Sequence, residues 1–225
     1  MENEAAKQTE QAVDIGETKT KGTEGELVVA WWNGGGKLEP RINANPELQK
    51  FMEKGPDVFV YGEALVTRIT NEMKIPGYNM ILHKAQLKSN RRGLLVYYKQ
   101  KHAYTMTKDE SSKIFDILWL RWKTNDEESI FGFFYAPGAH QPEIVREKFY
   151  DELRSGIDKH KGENIYLMGD SNARLGEFSG DEDIHGELKT NNNKALLIGL
   201  IQYTRIEYLN RIYGKGKPTY EIWGQ

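Results

Sequence analysis

The sequence predicts a mixed α/β domain in which two β-sheets are covered by helices. Three observations predict it. Apolar runs of strand length recur along the chain and stop abruptly at glycine or polar residues. Longer segments with apolar residues four apart lie between these runs instead of following them as a block. No internal repeat divides the 225 residues, a length that suits one domain with a sizeable core.

In chain order, Leu27–Trp32 is too short and apolar for a helix and meets Asn33 and three glycines, so it reads as a buried strand ending in a turn. Pro46 suits the first position of a helix carrying Leu48, Phe51 and Met52 on one face. Asp57–Tyr61, Tyr78–His83 and Gly93–Tyr98 read as further strands. Ile114–Trp122 alternates, with Asp116, Leu118, Leu120 and Trp122 on one face and Ile117, Trp119 and Arg121 on the other. A turn at Thr124–Asp126 joins it to Ser129–Tyr135. Pro142–His160 is a helix with Val145, Phe149, Leu153 and Ile157 four apart. Asn164–Met168 is a strand running into Gly169 and Asp170, and Lys194–Tyr203 a helix. Arg205–Tyr213 and Lys217–Trp223 read as two final strands. Residues 1–25 are polar and Lys/Glu-rich, which predicts a disordered tail before a domain over 26–225.

Composition narrows the function. With no cysteine, disulfides, thiolate zinc sites and cysteine nucleophiles are excluded. The net charge of −2 gives no global support to nucleic-acid binding, which must then rest on local patches. No apolar run approaches a membrane span and none resembles a signal peptide, so an intracellular protein is expected.

The chemistry gathers at strand ends. Asn33, Glu63, Tyr135, and Asp170 with Asn172 each follow a buried run, and sites in α/β sheets form where strands end. Each alone suits ordinary turn chemistry; their order and spacing together fit phosphodiester hydrolysis. Mg²⁺ prefers oxygen ligands, keeps several waters and needs only one or two carboxylates. Glu63 is the natural ligand, with Asn33 adding an amide oxygen. Asp170 suits activation of water, and Asn172 and Tyr135 suit hydrogen bonds to phosphate oxygens. A basic cluster of Lys88, Arg91 and Arg92 suits phosphate contacts, as does Arg174 just past the Asp170 motif.

The ordered set Trp32-Asn33, Asp57-Val-Phe-Val-Tyr-Gly-Glu63, Arg92-Gly93-Leu-Leu-Val-Tyr, Tyr135-Ala-Pro137, Gly169-Asp-Ser-Asn-Ala-Arg174, Asn191–Asn193 and Lys217-Pro-Thr219-Tyr220 resembles the endonuclease/exonuclease/phosphatase superfamily. Within it the chain looks most like the apurinic-like endonuclease domain of LINE-type non-LTR retrotransposons, over roughly Gly25–Trp223. The resemblance implies a four-layer α/β sandwich of two mixed sheets flanked by helices. It implies Mg²⁺, with Mn²⁺ as a substitute, held by Glu63 and Asn33, with Tyr135, Asp170 and Asn172 as catalytic residues. It implies duplex DNA as partner and, for a eukaryotic retroelement, a nuclear location.

The family pattern continues with Ser-x-Ile-Asp-Tyr and Ser-Asp-His, and neither occurs before Gln225. The expectation is therefore a domain with its last strands missing and its cleavage impaired, since even one oxyanion donor is worth about 3–4 kcal/mol. Two other readings share the pattern: a phosphatase acting on a different phosphoester, and a catalytically dead module that binds nucleic acid or protein.

Overall fold

The computed structural model describes residues 27–33, 46–53, 55–64, 68–85, 93–125, 127–178, 190–209 and 212. Among these described residues eight strands form two sheets of four. The first contains β1 (Val29–Asn33), β2 (Val58–Gly62), β3 (Tyr78–His83) and β4 (Leu94–Lys99), in the order β1-β2-β4-β3. The second contains β5 (Met106–Lys108), β6 (Asp116–Lys123), β7 (Glu128–Tyr135) and β8 (Asn164–Asp170), in chain order. Both sheets are mixed: β1 runs parallel to β2 and β7 parallel to β8, while the other pairs are antiparallel. The parallel pairs need crossovers. Helix α1 (Pro46–Glu53) lies within the β1–β2 connection, and α2 (Glu143–Lys159) within the β7–β8 connection. A third helix, α3 (Lys194–Thr204), follows β8.

Alternation along the strands sorts the side chains into three apolar layers. Val58, Val60, Leu94 and Val96 meet Leu118, Leu120, Phe131 and Phe133 between the sheets. Phe59, Tyr61, Leu95 and Tyr97 face the other way and pack with Met52 of α1. Ile117, Trp119, Ile130 and Phe134 pack with Phe149, Leu153 and Ile157 of α2 and with Leu197 and Leu200 of α3. The result is a four-layer α/β/β/α sandwich, as the sequence motifs implied. Two glycines bring α2 close to the second sheet. A Cβ on Gly132 of β7 would lie 2.6 Å from the Trp119 ring, and one on Gly156 of α2 only 2.4 Å from it, so the indole fills the gap between strand and helix.

Far from the site, Asp57 ties down the start of β2. It is buried, accepts the Val28 amide at 3.1 Å, and pairs with Lys101 at 2.7 Å and His102 at 3.2 Å. Burial alone would raise its pKa; these partners instead hold it down at about 2.

Most sequence expectations hold, several to within a residue or two, and β3 at both ends. Two do not. Strand β5 was not anticipated from the sequence. The expected strand Arg205–Tyr213 is corrected over its described part: Arg205 takes a left-handed conformation (φ 59°) that ends α3, and residues 206–208 form no strand. Tyr208 packs instead beside Phe178, with ring centroids 6.1 Å apart. The expected strand Lys217–Trp223 and the tail over residues 1–25 lie outside the described residues. Among the described residues no helix is long and apolar enough to cross a membrane.

Candidate active site

The strand register assembles the site. Asn33 ends β1 opposite Gly62 of β2, and Glu63 is the next residue. Tyr135 ends β7 opposite Asp170 of β8. The carboxyl ends of both parallel pairs therefore lie at one end of the sandwich, where rigid backbone meets diverging loops. Hydrogen bonds join the two sheets there. Asn33 Nδ2 donates to Asp170 Oδ2 at 2.8 Å, and the Tyr135 hydroxyl donates to Glu63 Oε1. Four of the five sequence-predicted strand-end residues thus meet in two cross-sheet pairs.

Two of these residue positions carry unusual backbone. Among the described residues three non-glycine residues have positive φ, and two of them are Glu63 (φ 54°) and Asn172 (φ 48°). The left-handed region disfavours a β-carbon by about 1–2 kcal/mol, though less for Asn. Such strain persists only where surroundings over-determine it, and it gathers at functional sites. Gly62 contributes to the surroundings of Glu63, since a Cβ there would lie 2.4 Å from the Trp31 indole. Asn172 is fixed by its own bonds. Its backbone N–H donates to Asp170 Oδ1 at 2.7 Å and its Nδ2 to the Ala136 carbonyl at 2.7 Å.

Electrostatics follow from this burial. The pKa of Asp170 is raised, chiefly by burial and further by the charge of Glu63; the Asn172 amide and Asn33 oppose the shift. The Tyr135 hydroxyl is pushed up by burial, then by its bond to Glu63, so it stays a donor at neutral pH. Asp170 is thus a base of raised basicity held by two donors, beside a neutral phenol.

The row continues one strand further. Asp116 of β6 is the register partner of Tyr135, only 3% exposed, and accepts the Ala85 amide at 3.1 Å. Burial drives its pKa to about 7 against the opposing Ala85 bond and the Lys84 charge. His83 Nε2 meets the Phe115 carbonyl at 3.1 Å, so that nitrogen carries the proton; burial lowers the imidazole's pKa. Below about pH 7 Asp116 therefore adds no charge to a site already holding two carboxylates. The sign for stability is that of a raised carboxyl pKa: the folded state keeps a proton that the unfolded state releases. Stability is therefore lost as pH rises from about 4 to about 7, by roughly 3–4 kcal/mol for Asp116 alone. Asp116→Asn keeps the acceptor for Ala85 and removes the charge. Urea unfolding should show it more stable than wild type at about pH 8 and little changed near pH 4, the wild-type slope between them being flattened.

Arg174 is exposed on the loop leaving β8, with its backbone N–H on Asn191 Oδ1 at 3.1 Å. Lys88, Arg91 and Arg92 lie outside the described residues. Two residues beneath the site escaped the sequence reading. Arg146 is 6% exposed on α2, and the Tyr150 hydroxyl donates to the Ser171 carbonyl at 3.0 Å. Their signal was position: both fall on the stripe of α2 that carries Phe149, Leu153 and Ile157.

The donor set suits a hard divalent cation. Glu63 supplies a carboxylate; with Nδ2 of Asn33 on Asp170, the ligand-type atom of Asn33 is Oδ1. Among the described residues no three His, Cys, Asp or Glu side chains form a metal cluster.

No family model and no curated protein matches the sequence. Solved structures do match the fold. It is similar to AP endonuclease LMAP from Leishmania major, with TM-score 0.67 and 15% identity over 88% of this chain and 73% of that one. It is also similar to the endonuclease domain of TRAS1, a telomere-specific non-LTR retrotransposon, with TM-score 0.57 and 14% identity over 79% of this chain and 72% of that one. The chain has the endonuclease/exonuclease/phosphatase fold.

Proposed function

We propose that this chain, through a domain over residues 26–225, is a Mg²⁺-dependent phosphodiesterase that nicks duplex DNA, of the kind encoded by non-LTR retrotransposons. The observation that carries the reading is the joining of Asn33 to Asp170 and of Glu63 to Tyr135 at the carboxyl ends of both parallel strand pairs. Glu63 and Asn33 would hold the metal, which when bound polarises a phosphoryl oxygen and offsets the charge of the transition state. Asp170, aimed by Asn33 and the Asn172 amide, accepts a proton from the attacking water. The Tyr135 hydroxyl, released from Glu63 when that carboxylate turns to the metal, and the second N–H of the Asn172 amide group are donors suited to phosphate oxygens as charge builds on them. Arg174, with Lys88, Arg91 and Arg92, would contact flanking phosphates and make binding salt-sensitive.

A plasmid-nicking assay tests this, run with Mg²⁺ and with EDTA on this chain and on a version extended along its reading frame. Stronger nicking by the extended version would place part of the catalytic set outside this sequence. Nicking should vanish with EDTA and fall at least about 10²-fold in Glu63→Gln. If neither protein nicks DNA but a phosphomonoester or lipid phosphoester is hydrolysed, the substrate class is wrong. If neither hydrolyses any phosphoester, the domain is a binding module.

A further inference from the structure

Asn193 stands at the N-cap of α3, where an asparagine side chain ordinarily accepts a helix amide, yet it makes no capping hydrogen bond. It is 0% exposed, and its Nδ2 lies 2.9 Å from the Pro137 carbonyl, 3.3 Å from that of Ser171 and 3.1 Å from that of Asn172. Those carbonyls belong to the two loops that leave β7 after Tyr135 and β8 after Asp170. Beneath it the Arg146 guanidinium donates to Asn193 Oδ1 at 3.3 Å, to the Asn192 carbonyl at 2.9 Å and to the Gln141 carbonyl at 3.0 Å. Among the described residues Arg146 has no carboxylate within ion-pair reach. A buried cation held by carbonyl oxygens is a costly way to fill space, and an apolar side chain would pack there at lower cost. Asn191 adds a further donor, its Nδ2 reaching the Asn172 carbonyl at 2.8 Å.

We propose that Arg146 and Asn193 are positioning residues: a buried clamp that holds the left-handed Asn172 and, through its amide, the carboxylate of Asp170. The chain of contact is continuous. Arg146 orients the Asn193 amide group. Asn193 and Asn191 grip the carbonyl of Asn172. The other side of Asn172 then presents its N–H to Asp170 Oδ1. The clamp reaches Asp170 at Oδ1 through the Asn172 amide, while Asn33 meets the same carboxylate at Oδ2, so the clamp acts on the Asp170 side of the site. Its catalytic consequence rests on the phosphodiesterase reading; its structural consequence does not.

The test uses the full chain with Asn193→Ala and, as a milder variant, Arg146→Lys, which keeps the charge but cannot span the three acceptors. Leu153→Val serves as a core control. Two readouts are taken. Hydrogen exchange at the Asn172 amide should quicken at least about tenfold relative to the Leu118 amide in both variants, and not in the control. In Mg²⁺-dependent cleavage of duplex DNA, kcat should fall about 10²-fold in Asn193→Ala with KM little changed, and less in Arg146→Lys. Exchange at Asn172 that stays at the wild-type rate, or rises only in step with Leu118, overturns the clamp. Quickened exchange with unchanged kcat overturns its role in positioning. If the wild-type chain cleaves no phosphodiester while exchange still quickens, the clamp stands and the functional reading fails.

Discussion

Asp170→Asn is expected to lower the Mg²⁺-dependent nicking rate at least about 10³-fold while leaving the protein as stable at neutral pH, or more so. The two outcomes share one cause. Burial and the charge of Glu63 raise the pKa of Asp170, so the folded state resists its ionisation. A carboxyl whose folded pKa is raised costs stability as pH climbs above its ordinary value, and an isosteric amide removes that cost. The same substitution removes the proton acceptor. The amide retains size and, with its oxygen toward the Asn172 N–H, one of the two aiming bonds. Nicking measured against pH should rise through an ionisation in wild type and show no such limb in the variant's residual activity. Thermal unfolding at pH 7 gives the other half. A variant that nicks within threefold of wild type would exclude Asp170 as the base.

Phe149→Ala is expected to be the most damaging single truncation in the helix–sheet layer. Phe149 is fully buried on α2 and meets Phe115 and Tyr150 edge-on at ring centroid distances of 5.5 and 5.3 Å, with Phe134 at 6.2 Å. Truncating a buried aromatic costs about 3–5 kcal/mol, because the transfer energy and the cavity add. For a domain of this size that lowers Tm by roughly 6–20 °C. Calorimetry would show it. A loss below about 1 kcal/mol would mean that the cavity collapses, with α2 moving onto the sheet. Since Tyr150 is the next residue and holds the Ser171 carbonyl, such a shift should also reduce kcat per folded molecule.

How much of this was legible in the sequence depended on burial pattern. β2 is buried along its whole length and β7 along all but its first residue, and both were read from unbroken apolar runs. The alternation of β6 placed Asp116 on the face with Leu118 and Leu120, where it lies. β5 has three residues of which only Met106 is buried, too few for any period to show. The segment Arg205 to Tyr213 read as a strand, but over its described part a left-handed residue at the end of α3 redirects the chain. The residues of the candidate site were legible because strand ends leave a sharp boundary between apolar and polar residues. Arg146 was not, because a single cation on a helix reads as solvent-facing until the helix face is known, and its partners are carbonyls of remote loops. Likewise nothing in the three consecutive asparagines distinguishes Asn193, with its 0% exposure, from its neighbours.

The two cross-sheet hydrogen bonds turn the site into a caliper. Each jaw is a separate sheet, and Asn33 with Glu63 on one must meet Asp170 with Tyr135 on the other. Between the jaws lies an apolar layer that includes Val60, Leu94, Val96, Leu118, Leu120 and Phe133. Hydrogen bonds tolerate displacements of a few tenths of an ångström, while a layer of side chains changes thickness by more than that when one methylene is added or lost. On the proposed reading, turnover should gauge the spacing of the sheets. Conservative exchanges in that layer, such as Val96→Ile or Leu118→Met, should then change kcat from a distance without touching any polar group.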